Sequence, residues 1–332
     1  MRVLIIANAR FKGGISGSDA IYENFHRHWG VDTVVSEMID IDYKPFWLCY
    51  IHRILDGIYM ALFDSLKYDV VYSSSDFLPD VIPAVIHKLR GRKWVAGFYL
   101  KAFKDNPIHY HTQKIVKWLI NKYADMVIVT NPTMYDVFPD KKRTWINGGI
   151  DLSKSKQSSN KIYDAVFCGR IHPSKGIDEM IEIWKKVREK KKYATLAVIG
   201  DGDLGKEYIK RKIPLESGIH LFGYMEDQRF DIYSQSKMTL YPTPPRYDHY
   251  SMAPVEAMSC GCPMLSFNID TVNALNPVAF RADNINQFVD NILMLIENYH
   301  MFSNDAIKYA QKYSYKEESL RVLNEIRKVL SI

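Results

Sequence analysis

Two segments hold residues that together can grip a nucleotide diphosphate and the sugar it carries. The first, CGRIHPSKGIDEM, runs from Cys168 to Met180 and sets Arg170 and Lys175 in a turn between a strand pattern, Asp164 to Cys168, and a helix. A diphosphate leaving a sugar gains negative charge as its bond breaks, so a site that cleaves it needs fixed cations aimed at those oxygens. Arg170 offers a planar fork for bidentate contact and Lys175 a compact charge, while Gly176 lets backbone N–H groups approach an anion. The competing account is two solvated surface charges, but cations at a helix N-terminus oppose the macrodipole and call for an anion.

The second segment, RYDHYSMAPVEAMSCGCPML, runs from Arg246 to Leu265 and holds Asp248 and Glu256 with seven residues between them. Carboxylates so spaced, on a loop and at the start of a helix EAMSCG, can bracket a polyol and accept from sugar or ribose hydroxyls. Asp248 has the plainer alternative of capping its own turn, and a Glu in a first helical turn suits the dipole without any ligand. Weaker signals surround these two. NARFKGGISGSDAIYENF, Asn8 to Phe25, follows a first strand with Gly13, Gly14 and Ser16 in a turn that can cradle an anion or a carbohydrate, though a cap at Ser18 explains part of it. VIGDGDLG, Val198 to Gly205, has the G-x-G-x-x-G spacing of a dinucleotide site. It sits mid-domain, and Asp201 and Asp203 would crowd a pyrophosphate, so it is read as a turn after a buried strand and not as a metal-binding Asp-x-Asp.

The ten histidines show no metal spacing. His109 and His111, in a loop after a strand, and His172 in the basic turn are the candidates for contact with a ligand. The four cysteines are scattered, Cys260 and Cys262 lack a second pair, and reduced thiols are expected.

These residues need a frame, and short apolar runs alternating with helix-length amphipathic segments supply one: βα units around parallel sheets. Strand patterns fall at Val3 to Ala7, Val70 to Ser73, Lys93 to Gly97 and Met126 to Thr130, then at Ala165 to Cys168, Thr195 to Ile199, His220 to Phe222, Met238 to Tyr241 and Pro263 to Ser266. DLSKSKQSSNK, Asp151 to Lys161, polar and without periodicity, divides the two sets. With 332 residues the expectation is two domains, 1–152 and 161–300, followed by helices over 301–332 that pack back toward the first. YKPFWLCYIHRILDGIYMALF, Tyr43 to Phe63, is read as a buried helix, with contact to a lipid-linked acceptor as the alternative. The N-terminal apolar run is too short for a signal peptide and is read as a strand. A net charge of +6 admits an acidic partner and fits a cytoplasmic protein working at the inner face of a membrane. No basic run interleaves with aromatics, which argues against nucleic acid.

In this order and spacing the motifs resemble the retaining, nucleotide-sugar-dependent glycosyltransferases of family 4, which have the GT-B architecture of two Rossmann-like domains with parallel sheets facing a central cleft. The likeness runs through the GG turn, NGGIDL (Asn147 to Leu152), the GR…KG turn, VIGDGD, IHLFGYM and the acidic motif with EAMSCGCPML. It implies a transferase that moves a sugar from a UDP- or GDP-sugar to an acceptor hydroxyl of a carbohydrate or lipid-linked substrate, with no cofactor or metal required. By that resemblance Gly169, Arg170 and Lys175 meet the donor diphosphate, Glu256 the ribose and Asp248 the transferred sugar. Ser251, Met252 and Ala253 complete the sugar pocket, and Gly223, Tyr224 and Met225 border the base. Asp248 stands where the family usually has Glu. The family's histidine after the strand at Lys93 is also missing, with Tyr99 or His109 as its replacement. A GT-B epimerase or phosphorylase is the rival expectation.

Overall fold

The computed structural model describes residues 1–9, 28–38, 45–99, 101–102, 107–130, 132–146, 148–202, 204–212, 218–247 and 250–331. They form two compact units, Met1–Gly149 with Tyr315–Ile332, and Ile150–Ser314. Each is an α/β unit built on a six-stranded parallel sheet.

Unit 1 runs β1 (Arg2–Ala7), β2 (Asp32–Glu37), α1 (Phe46–Phe63), β3 (Val70–Ser73), α2 (Leu78–Leu89), β4 (Lys93–Phe98), α3 (Pro107–Tyr123), β5 (Met126–Val129) and β6 (Lys142–Trp145). Its sheet order is β2-β1-β3-β4-β5-β6. The inner strands are buried on both faces, which is why they read as unbroken apolar runs. One face packs Val71, Ala96 and Val127 against Val81 and Ala84 of α2 and Val116 and Ile120 of α3.

Unit 2 runs β7 (Ala165–Cys168), α4 (Ile177–Lys190), β8 (Leu196–Ile199), α5 (Gly205–Lys212), β9 (Ile219–Gly223), α6 (Arg229–Ser234), β10 (Thr239–Tyr241), α7 (Met252–Ser259), β11 (Met264–Phe267), α8 (Asp270–Leu275), β12 (Phe280–Ala282), α9 (Ile285–Asn298) and α10 (His300–Gln311). The sheet order is β12-β11-β10-β7-β8-β9. The first strand, β7, therefore lies inside the sheet. The chain winds outward through β8 and β9, then crosses back to β10 on the other side of β7. Connections leaving β7 and β10 diverge, and in an open parallel sheet that divergence makes a crevice at the carboxyl edge.

The last helix, α11 (Tyr315–Leu330), belongs to unit 1, while 301–314 stay with unit 2. Val322, Leu323, Ile326 and Leu330 of α11 join Val3, Ile5, Val70 and Tyr72 in one buried cluster. The chain passes between units at Gly149–Ile150 and Ser314–Tyr315. Asp151 to Lys161 lies within unit 2, where Ser155 Oγ donates to Ser259 Oγ at 2.6 Å and Lys161 Nζ to the Ser234 carbonyl at 2.7 Å.

Two sequence expectations need correction here. The strand patterns omit β2, β6 and β12, which are three of the four sheet edges. Edge strands face solvent and carry charge, as DTVVSE, KRTW and FRA do, so they lack an apolar run. The segment Phe46–Phe63 is helical but not a buried helix: Trp47, Leu55, Tyr59 and Phe63 are exposed.

Candidate active site

Because every strand of unit 2 is parallel, the connections after β7, β8, β9 and β10 all leave from one edge. The basic turn comes after β7. Gly169 N donates to the Ile199 carbonyl at 3.0 Å, and Ile171 N to the Asp201 carbonyl at 3.0 Å, so the turn is tied to the loop after β8. A short 3-10 turn, Pro173–Lys175, follows, with His172 Nδ1 accepting from Ser174 N at 3.1 Å. His172 is thereby committed to capping this turn. Gly176 then takes φ 74° and starts α4. Its backbone lies so close to the loop after β10 that a Cβ would sit 1.9 Å from the Pro242 carbonyl oxygen. The basic turn and the β10 connection thus meet at the switch-point crevice. Arg170 is exposed and Lys175 half-buried. Burial, and next the charge of Arg170, lower the Lys175 pKa from 10.5 to about 8.

The glycines of VIGDGDLG have a steric role. Gly200, at φ 133°, would place a Cβ 1.9 Å from the Gly169 carbonyl oxygen, and Gly202 would place one 2.6 Å from Arg170 Cγ. Their smallness lets the loop after β8 nest under the basic turn. The Gly223–Met225 loop continues along the edge: Gly200 N donates to the Gly223 carbonyl at 2.7 Å, Tyr224 is exposed, and Met225 leans on the core.

Glu256 is placed differently from the sequence expectation. Helix α7 begins at Met252, so Glu256 stands in its second turn and not at its start, and the dipole does not account for its charge. Arg229 at the head of α6 does: Nε donates to Oε2 at 2.8 Å and Nη2 to Oε1 at 2.9 Å. This is a bidentate fork on a buried carboxylate, with the Tyr233 hydroxyl 3.4 Å from Oε2. Nothing in the sequence around Arg229 marks it, because the pairing exists only once α6 and α7 lie side by side. Ser251, Met252 and Ala253 form the half-buried opening of α7, where first-turn N–H groups have no intrahelical partner. Thr243, also unmarked in sequence, is fully buried beside Gly176, and its Oγ1 has no hydrogen-bond partner among the described residues. Asp248 lies outside the described residues.

Unit 1 has its own switch point, where β1 sits between β2 and β3. Gly13, Gly14 and Ser16, after β1, lie outside the described residues. Polar groups at the adjoining strand ends are densely bonded. Asp80 accepts from Ala9 N at 2.9 Å and from Ser75 Oγ at 2.5 Å, and Arg53 Nη1 donates to the Asn8 carbonyl at 3.0 Å. Beside them Asp76 accepts from Gln113 Nε2 at 2.5 Å and lies 3.4 Å from His109 Nε2, whose ring stacks on Phe77. His109 is on α3 and not in a loop. Tyr99 is buried in the core, its hydroxyl in short contact with that of Tyr72.

All four cysteines are free, and burial pushes the Cys168 thiol up to about 12, so it is not poised as a nucleophile. Among the described residues no cluster of His, Cys, Asp and Glu has the makings of a metal site.

Comparison with known proteins agrees with this fold. Residues 163–298 match the model of the family described as Glycosyl transferases group 1, which covers β7 through α9. The chain is 25% identical over 305 residues to a poly(glycerol-phosphate) alpha-glucosyltransferase of Bacillus subtilis, a match that takes in 86% of this chain and 44% of the relative. It thus spans less than half the length of that relative. Among solved structures, sucrose-phosphate synthase from Thermosynechococcus elongatus aligns with TM-score 0.76 at 14% identity over 99% of both chains. A TarM variant from S. aureus, in complex with Fondaparinux, alpha-GlcNAc-glycerol and UDP, aligns with TM-score 0.64 at 17% identity over 86% of this chain and 59% of that one. At such identities the likeness shows the fold, the GT-B type with two Rossmann-like units.

Proposed function

We propose that this chain is a group 1 glycosyltransferase that moves a sugar from a nucleoside diphosphate sugar, UDP- or GDP-linked, to an acceptor hydroxyl with retention at the anomeric carbon. The observation that carries this is the placing of Arg170 and Lys175 on one turn at the carboxyl end of an inner strand, against the connection that leaves β10. Two like charges held together beside a switch-point crevice are relieved by an anion, and a diphosphate is the anion that this edge of an α/β sheet accommodates. The family match over 163–298 supports the same class of chemistry.

In the reaction, the bond from the anomeric carbon to the diphosphate breaks as the acceptor oxygen attacks from the same face. The acceptor proton passes to a diphosphate oxygen, and Arg170 and Lys175 stabilise the charge that develops there. Those two cations serve where other transferases use a divalent metal, so no metal is required. Glu256, oriented by Arg229, takes the ribose hydroxyls through its remaining lone pairs. N–H groups at Ser251 to Ala253 and the side chain of Asp248 hold the sugar, and Gly223 to Met225 border the base. In unit 1, His109 backed by Asp76 takes the place of the family's histidine, and the acceptor is a carbohydrate or a lipid-linked glycan.

Incubation with UDP- and GDP-hexoses, with and without an acceptor glycoside, tests the reading. Release of nucleoside diphosphate only with acceptor, and an anomeric proton coupling in the product equal to that of the donor, are expected. Conversion of the donor sugar without acceptor would identify an epimerase and overturn it. The base is found by thermal shift, since a ligand at 100 times its Kd stabilises the fold by about 2.7 kcal/mol.

A further inference from the structure

Helix α1 is inverted with respect to an ordinary surface helix. Its inward stripe, at four-residue spacing, is Cys49, Arg53, Gly57 and Ala61, all buried or tightly packed. Arg53 is bonded to the Asn8 carbonyl, and Gly57 lies so near α2 that a Cβ would be 2.7 Å from Pro83 Cγ. The outward stripe is Trp47, Ile51, Leu55, Tyr59 and Phe63, with Trp47 60%, Tyr59 64% and Phe63 71% exposed. The two ionisable side chains on that outer side, His52 and Asp56, bond each other at 3.0 Å. A continuous apolar stripe of this size marks an interaction surface.

What surrounds the stripe specifies the partner. Arg90 caps the C-terminal end of α1 by donating to the carbonyls of Ala61, Leu62 and Asp64, and Arg92 donates to that of Leu66. Helix α2 packs against both α1 and α3. On α3, Trp118 and Ile115 are exposed among Lys114, Lys117 and Lys122, and that helix has no acidic residue. Lys122 Nζ stands 4.9 Å over the Trp118 ring. An apolar, aromatic-rich helix bordered by cations is the pattern of a segment lying in the plane of an anionic lipid surface. No helix among the described residues is long and apolar enough to cross a membrane.

We propose that α1 is a membrane-surface helix, its Trp47-to-Phe63 stripe set into the headgroup layer of an anionic bilayer, with the α3 lysines at the lipid phosphates. Flotation of the full chain with vesicles of phosphatidylglycerol and phosphatidylcholine tests this, and no nucleotide enters the assay, so the result is independent of the transferase reading. The chain is expected to float with anionic vesicles, less with phosphatidylcholine alone, and less in high salt. Neutralising Lys114, Lys117 and Lys122 to Gln is expected to weaken partition into anionic vesicles by about a hundredfold. Leu55→Glu with Phe63→Glu is expected to abolish it. Should that double variant fail to fold, quenching by brominated lipid decides: it is expected in the wild type and reduced in Trp47→Phe. Absence of flotation, retention of binding by the folded double variant, or equal quenching in Trp47→Phe would overturn the proposal. So would a lipid-free dimer that Leu55→Glu with Phe63→Glu dissolves.

Discussion

A lysine whose ammonium is disfavoured by burial and by a neighbouring guanidinium should take up a proton when an anion arrives. Lys175 holds its proton below pH of about 8 in the folded chain and below about 10.5 in the unfolded one. Between those values the unfolded state binds more protons, so the cost of charging this group is fully present below pH 8 and is relieved as pH rises. A bound diphosphate restores the charge. Nucleoside diphosphate binding at pH 8.5 is therefore expected to absorb protons and to weaken as pH rises further. Calorimetry in buffers of different ionisation enthalpy measures the uptake, and Lys175→Met should abolish it. Proton-neutral binding by the wild-type chain would remove Lys175 from the diphosphate. Arg229 makes a separate case. Deleting one partner of a fully buried ion pair leaves the other uncompensated at about 3–5 kcal/mol, and less for this partly buried pair, whereas removing both is far milder. Arg229→Gln should thus lower stability more than Arg229→Gln with Glu256→Gln, as read by urea unfolding, and should weaken UDP or GDP binding through misorientation of Glu256. Equal losses in the single and double variants would mean that the fork is incidental.

At the scale of elements, the turn between β7 and α4 is fixed by one glycine for two separate reasons, and a control separates them. Gly176 has φ 74° and would meet the Pro242 carbonyl, whereas Gly91 has φ 89° and nothing within 4 Å of a Cβ. Gly91→Ala should cost about the 1–2 kcal/mol of a left-handed backbone. Gly176→Ala should cost clearly more and also loosen nucleotide binding, because it pushes the basic turn off the β10 connection. If urea midpoints fall equally in the two variants, the close approach is not what shapes the crevice. The same distinction explains what the sequence makes legible. Inner strands such as VLIIA and AVFC declare themselves because both faces are buried, and the GR…KG turn because its residue types are unusual at a helix start. Local pattern could not show β2, β6 and β12, whose solvent-facing edges dilute the apolar signal. It could not show that Tyr99 turns into the core to meet Tyr72, or that Glu256 answers to Arg229, since both depend on elements distant in sequence. Helix α1 is legible as a helix but its exposure is not, because apolar content alone does not say which side the small residues take.

For the whole molecule, the consequential feature is that the chain leaves unit 1 at Gly149 and returns to it at Tyr315. The return is substantial. Val322, Leu323, Ile326 and Leu330 are buried with the strands of unit 1, Arg321 Nη2 donates to the Trp145 carbonyl at 2.6 Å, and Lys142 Nζ to that of Val329 at 3.0 Å. At about 1.5–3 kcal/mol for each buried aliphatic side chain, four of them are worth on the order of 6–12 kcal/mol. That rivals the roughly 5–15 kcal/mol by which a whole domain is stable. A chain ending at Ser314 is therefore expected to lose the cooperative unfolding of unit 1, while unit 2, whose sheet and core are complete without α11, still unfolds as one transition. Since Arg170, Lys175, Arg229 and Glu256 all lie in unit 2, UDP or GDP should raise the melting temperature of that remaining transition as much as it should in the full chain. Scanning calorimetry with and without nucleotide reads both effects at once. A truncated chain that keeps two transitions would show that α11 is dispensable to unit 1, and one whose surviving transition ignores every nucleotide diphosphate would show that the donor site draws on more than unit 2.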